Sequence, residues 1–343
     1  MAQMAGVSAG TVDRVIHNRG QVSEDNRQLI LKIIDELNYK PNLLARSLAT
    51  KRSYHIVTLL PETHLSKGYW EAPLKGIQKA AKEIADYNVV VTSLSFDQFK
   101  VETFRDSIKT IIDLNPDAVL LTPVFKGETI ELAGILNVKS IPYIFIDSNI
   151  EGLGNLSYFG QHSYQSGYMA ARLLEMGLPE NSTIAILKPS GDISNQMVSR
   201  ESGFNAFFER EGLKRRYAFK YIAYDLDNEV EREKQLAEFF NQNAPVAAAL
   251  VFNSRVYEIA SFLEKYRIEN VRLVGYDLMR ENAEYLRKGI VTFLLAQRPE
   301  EQGYYGVMTL FNYLVLKQDV IKVQYVPIDI LTRENLDYYL NFK

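Results

Sequence analysis

Cysteine is absent from the 343 residues, which excludes disulfides, thiolate metal ligands and cysteine nucleophiles. Histidine occurs only four times, scattered and without HExxH spacing, so no metal site and no cofactor are expected. Long apolar runs are missing too. No stretch approaches the length that crosses a bilayer, and no basic segment leads into an apolar one near the start, so the expectation is a cytoplasmic protein with no membrane partner. The sequence also lacks a GxSxG elbow, a GxxxxGK[ST] loop and a GxGxxG turn after a strand, and with them the commonest marks of an α/β enzyme. What remains is 47% hydrophobic and 24% charged, enough for a small head and one or two large domains. The net charge of −3 is unevenly spread. Residues 1–53 hold eight Lys or Arg against five acids, or +3, which leaves −6 for the rest. A basic head on an acidic body fits a protein that meets phosphates through one small module.

The stretch from Ala5 to Asn18 carries the most specific signal in that head. Gly6 permits the φ > 0 of a tight turn, and Ser8 is placed to cap a following helix by accepting from its free N–H groups. Val12, Val15 and Ile16 then share one buried face. Ala9, Gly10, Asp13, Arg14 and His17 fall on other faces, where small residues let backbone approach DNA and Arg14 can fork onto guanine. Alone, these residues fit an ordinary turn and cap as well as a DNA reader. A third helix capped by Ser23 follows, with Leu29, Ile30, Ile33, Ile34 and Leu37 as an apolar stripe and Glu24 and Asp25 at its positive end. Pro41 ends it. Asn42 to Ala49 is helix-compatible but too short to be stable alone, so it should order only when docked.

With the segment Asn38-Tyr39-Lys40-Pro41-Asn42-Leu43-Leu44-Ala45-Arg46-Ser47-Leu48-Ala49-Thr50 the sequence resembles the lactose-repressor (LacI/GalR) family of bacterial transcription regulators. The resemblance implies a homodimer on a palindromic operator, touched by Ser8, Ala9, Gly10, Thr11, Arg14, His17 and Asn18 of the head. It also implies a hinge helix that meets its twin in the minor groove through Asn42, Ala45 and Leu48, with Leu48 wedged between base pairs. Two departures stand out. Asp13 replaces a common Ser, and the first helix starts later than in the family, so a truncated amino end is expected.

From Tyr54 onward, β-type and helical runs alternate in too many units for one sheet of usual width, which implies two parallel-sheet lobes. Asp117-Ala118-Val119-Leu120-Leu121 and Ala247-Ala248-Ala249-Leu250-Val251 are apolar almost throughout, as strands covered on both faces are. The expected fold is α/β: a small all-α helix-turn-helix head and a two-lobed body resembling periplasmic binding proteins, each lobe a doubly wound parallel sheet. The expected boundaries are 1–40 for the head, 41–53 for the hinge and 54–343 for the body. Within the body the N-lobe takes about 54–161 and 298–326, the C-lobe 162–297 and 327–343.

Ligands in such sheets lie at the carboxyl ends of strands, and those ends are polar here. Asp147, Asn253, Asp277 and Gln297 follow apolar strands; Arg200 opens an Arg-x-x-Gly-aromatic pattern; Trp70 is the only tryptophan and follows the first strand. By resemblance these six are the effector site. Carboxylates and an amide accept from hydroxyls, Arg200 donates a planar fork to a vicinal diol, and Trp70 offers a flat face to ring C–H groups. Ser148, where sugar-binding relatives carry a basic residue, leaves the sugar unspecified. The reading is a non-enzymatic, sugar-responsive transcription regulator, most simply a repressor. Its rivals are a sugar-binding protein with no DNA role and an α/β enzyme acting on a sugar.

Overall fold

The computed structural model describes residues 1–16, 20–37, 52–66, 68–190, 194–225 and 228–341. The chain divides into two compact units, residues 1–52 and 53–343.

In the first unit, α1 (Ala2–Ala5) ends at Gly6, whose φ of 63° is the left-handed turn that glycine allows. In α2 (Ala9–Ile16) the Ser8 hydroxyl accepts from the Thr11 amide at 3.1 Å, closing the helix start. Val12 and Val15 are buried against Ala5, Ile30 and Ile33, with Ile16 and Ile34 packed beside them. Ala9, Gly10, Asp13 and Arg14 are exposed. Two expectations for α3 (Glu24–Glu36) fail. Ser23 stands at the N-cap but its side chain makes no capping bond. Leu29 and Leu37 are 42% and 48% exposed, because Leu29 lies about 90° off the centre of the stripe and Leu37 lies past the reach of two short partner helices. His17, Asn18, Asn42, Ala45 and Leu48 lie outside the described residues.

The second unit holds two sheets of six strands each. The N-lobe runs β1 (Tyr54–Pro61), α4 (Glu71–Ile84), β2 (Val89–Phe96), α5 (Val101–Leu114), β3 (Ala118–Leu121), α6 (Lys126–Val138), β4 (Tyr143–Ile146) and β5 (Ser157–Gly160). The C-lobe runs α7 (Ser163–Glu175), β6 (Thr183–Pro189), α8 (Asn195–Arg210), β7 (Ala218–Tyr224), α9 (Glu229–Gln242), β8 (Val246–Val251), α10 (Val256–Lys265), β9 (Arg272–Tyr276), α11 (Arg280–Lys288) and β10 (Val291–Ala296). The chain then returns to the N-lobe with α12 (Pro299–Phe311) and β11 (Val323–Tyr325), and to the C-lobe with β12 (Asp329–Leu331) and α13 (Leu336–Asn341). The orders are β11-β5-β4-β3-β1-β2 and β12-β10-β9-β8-β6-β7. Pairing is parallel, as expected of two doubly wound lobes, with one antiparallel edge strand, β12 on β10.

The central strands are apolar on both sides because helices cover both sheet faces. Ile56, Leu120 and Ile144 join one buried cluster and Val57, Val119 and Phe145 the other; Ile184 and Ala185, or Leu250 and Val251, divide the same way in the C-lobe. One helix crossing in each lobe is closer than side chains permit. A Cβ on Gly167 would stand 1.8 Å from the Arg200 carbonyl oxygen and one on Gly203 1.9 Å from that of Tyr164, locking α7 to α8. Gly76 and Gly303 do the same for α4 and α12, at 1.9 Å from Glu300 O and 2.1 Å from Pro73 O. The crossovers are tied together as well. Arg298, at φ 47°, gives a two-pronged ion pair to Asp329 (2.6 and 3.0 Å), which also accepts from the Tyr339 hydroxyl at 2.9 Å.

Candidate functional site

The cleft between the lobes is built from strand ends. β4 delivers Asp147 and β9 delivers Asp277, each the third strand of its sheet counted from the β11 or β12 edge, and both end in the same turn: both aspartates have φ 67°. That left-handed conformation costs a non-glycine residue roughly 1 kcal/mol or more, and it persists where surrounding bonds dictate it. For Asp147 they come from its amide, which donates to Phe159 O and to the Gln302 side chain (2.9 Å). For Asp277 the amide donates to Leu295 O, and the Asn282 side chain donates to the Tyr276 and Asp277 carbonyls.

The two carboxylates are connected across the cleft. The Tyr69 hydroxyl donates to Asp147 at 2.7 Å, and Gln297 Nε2 donates to Tyr69 at 2.7 Å and to Asp277 at 2.8 Å. Gln196, on α8, reaches over to the Asp147 carbonyl at 2.5 Å. Arg200 follows one turn later, its guanidinium 3.9 Å above the Tyr276 ring and its Nη1 donating to Phe252 O at 2.7 Å. Its Nε and Nη2 are buried without a partner, as is Gln297 Oε1. Unpaired buried donors of a charged group are costly. A buried side-on fork left open beside two carboxylates is therefore a demand for a ligand with paired acceptors.

Electrostatics follow from burial. Asp147, Arg200, Asp277 and Gln297 are at most 8% exposed. Loss of water pushes Asp277 up to about 6, opposed by Arg200 and the Gln297 bond and assisted by Asp147. Burial raises Asp147 as well, against the Tyr69 bond and the Arg200 charge. Tyr69 is held far above its ordinary value by burial and by both carboxylates, so it serves as a neutral donor. A pocket of about 170 Å³ opens between Tyr69, Asp277, Met279 and Pro299. A larger recess of about 320 Å³ beside Leu60, Glu62, His64 and Ser93 meets none of these side chains, and polar convergence, not volume, marks the candidate site.

Of the six expected effector residues, the structure brings Asp147, Arg200, Asp277 and Gln297 into this cluster. Trp70 is buried beside it, its Nε1 donating to Gln98 at 3.1 Å and its ring edge-on to Tyr69 at 4.8 Å. Asn253 adjoins Phe252 and accepts from the Arg255 amide at 3.0 Å, shaping the turn into α10. Sequence reasoning missed Tyr69 and Gln196. The i, i+4 spacing of Gln196 and Arg200 on one helix face was a usable signal; nothing local distinguished Tyr69 from its neighbour Trp70. Among the described residues no His, Asp or Glu group is arranged to hold a metal ion, and no helix is long and apolar enough to cross a membrane.

Residues 57–318 match the model of a periplasmic binding protein domain, and residues 1–42 match that of the bacterial regulatory proteins of the lacI family. The chain is similar to the ribose operon repressor of Lactococcus lactis, 25% identical over 81% of this chain and 79% of that one. It is 28% identical to the HTH-type transcriptional regulator RegA of Clostridium saccharobutylicum over 62% of this chain, spanning 61% of RegA's length. A solved structure from Bacteroides fragilis assigned to the LacI transcriptional regulators superimposes with a TM-score of 0.76 at 35% identity, over 84% of this chain and 100% of that one. The glucose-galactose binding protein GanP of Geobacillus stearothermophilus, at 22% identity and TM-score 0.72 over 83% of this chain and 99% of its own, shares the fold of the body. A lacI-type head joined to a two-lobed binding-protein body places this chain in the LacI family of bacterial regulatory proteins.

Proposed function

We propose that the protein is a sugar-responsive transcription regulator, acting as a homodimer in the cytoplasm on a palindromic operator. The observation that carries the reading is the open Nε/Nη2 fork of buried Arg200 between two buried carboxylates, at the meeting of two lobes. A polyol satisfies both sides at once, because each hydroxyl accepts from the fork and donates to an aspartate. A monosaccharide presents such hydroxyls in neighbouring pairs around one ring. Asp147 on one lobe and Arg200, Asp277 and Gln297 on the other would then bias lobe closure through the ligand, and closure would reach the head by changing how the paired hinges are spaced.

In the head, the exposed face of α2 with Ala9, Gly10 and Arg14, and the Ser8–Thr11 hydroxyl pair at its start, would enter the major groove. His17 and Asn18 would extend that face, and Asn42, Ala45 and Leu48 would bind the minor groove. We assign no catalytic step, since Tyr69 and Gln297 already engage both carboxylates.

The test joins the two halves. Calorimetry with pentoses, hexoses, sugar acids and purines on wild type and Arg200→Ala should show a loss of about 1.5–3 kcal/mol, one to two decades, for the best sugar. Operator fragments selected from genomic DNA should bind steeply more weakly between about 50 and 200 mM salt, and Leu48→Ala should lose them while keeping the sugar. A flat salt response removes the DNA half of the reading. Equal sugar binding by both proteins removes Arg200 from the site.

A further inference from the structure

The site as proposed above also dictates the charge of what it accepts. Asp147 and Asp277 are buried with Arg200 as their shared counterion. Three further cations are held by carboxylates of their own: Lys188 by Glu201 at 2.5 Å, Arg298 by Asp329 at 2.6 Å, and Arg280, on the outer rim of the pocket beside Asp277, by Glu284 at 3.3 Å. Ser148, beside Asp147, adds no charge. The hydrogen-bond inventory leans the same way. Tyr69 spends its proton on Asp147, and Gln297 donates both to Tyr69 and to Asp277, leaving its Oε1 as an acceptor. Beyond the Arg200 fork, what the cleft offers is acceptors. A carboxylate or phosphate on the ligand brings more acceptors and would claim Arg200, the cation that the described residues give both buried aspartates. A hydroxyl or an ammonium brings donors.

We propose that the cleft takes uncharged or amino-bearing monosaccharides and rejects their carboxylate- and phosphate-bearing analogues, through the net negative charge of the Asp147–Arg200–Asp277 cluster. The rejection weakens in acid. Asp277 is faced by Arg200 and Gln297 from its own lobe and by Asp147 and Tyr69 from the other. Once it takes a proton it becomes a donor, and the cluster is neutral.

The experiment is calorimetry on the full chain at pH 8 and pH 5.5 with matched sets: a hexose, its 2-amino form, its uronate, the uronate methyl ester and its 6-phosphate. At pH 8 the uronate and phosphate should bind at least about tenfold more weakly than the parent, while the amino sugar holds. The methyl ester, equal in bulk and uncharged, should recover most of the loss. The gap should narrow at pH 5.5 in wild type, and at pH 8 in Asp277→Asn with its fold checked by circular dichroism. A uronate or phosphate that equals its parent at pH 8 overturns the proposal, as does an ester no better than the uronate, or a gap that neither acid nor Asp277→Asn reduces. If every sugar fails and a purine binds, the sugar reading has failed and this inference goes with it.

Discussion

Gly203→Ala is the sharpest perturbation the structure offers, because the added methyl would meet backbone that cannot rotate away. Its Cβ would lie 1.9 Å from Tyr164 O, and real contacts of this kind essentially never fall below 3.0 Å. Helices α7 and α8 must therefore part by about 1.1 Å. Arg200 sits three residues earlier on α8. A shift of that size can lengthen its Nη1 bond to Phe252 O from 2.7 Å to at most roughly 3.8 Å, beyond hydrogen-bond reach. Overpacking costs about 1–3 kcal/mol and a charge-assisted bond about 1.5–3. Partial relaxation sets the expected loss at about 2–4 kcal/mol in urea unfolding followed by circular dichroism, with effector affinity down at least about tenfold. Gly134→Ala is the matched control. It lies exposed on α6 with nothing within 4 Å of the added Cβ, so the same methyl should stabilise by about 0.4–1 kcal/mol. If Gly203→Ala stays within about 0.5 kcal/mol of wild type and binds effector undiminished, the crossing does not position Arg200 and the reasoning fails.

Asp277→Asn keeps the oxygen that accepts from Gln297 and removes a carboxyl raised from 3.8 to about 6 by burial. A raised carboxyl contributes stability below its unfolded value and loses it as pH rises through the folded one. The variant should therefore exceed wild type at pH 8 by up to about 3 kcal/mol, and converge with it below about pH 4; urea midpoints that differ equally at pH 4, 6 and 8 would refute this. Trp70, the only tryptophan and edge-on to Tyr69 at 4.8 Å, should change its emission as effector saturates the cleft. Calorimetrically proven binding with unchanged emission would mean that Tyr69 does not move with the ligand.

The alternation of strand and helix was readable because buried parallel strands are apolar without interruption, as in Val119–Leu121 and Ala248–Val251, and because polar residues then mark their ends. That is why Asp147, Asp277 and Gln297 stood out. The short strands were not readable: Ser157–Gly160, Val323–Tyr325 and Asp329–Leu331 hold three or four residues each and gain their identity from a sheet already formed. Tyr69 and Gln196 escaped notice for a related reason. Tyr69 meets Asp147, 78 residues away in its own lobe, and Gln297, 228 residues away, while Gln196 meets Asp147 across the cleft, so tertiary folding creates these contacts and no local pattern records them. In the head, Leu29 looked like core by residue type and was exposed by angle, a matter of how little helix surface two short partners can cover.

The returning helix α12 has a consequence for the order in which the protein can assemble. Val307, Leu310, Phe311 and Leu314 are buried in the same cluster as Ile56, Leu120 and Ile144. The lobe that the ribosome begins first is thus completed only when chain beyond residue 314 has emerged, after nearly the whole other lobe has been made. Until then the faces of β1, β3 and β4 that await α12 are open to solvent and to chaperones. A nascent or prematurely terminated chain can carry an intact head while the lobe behind it is unfinished, so cellular control of fragments falls to proteolysis of that uncovered sheet.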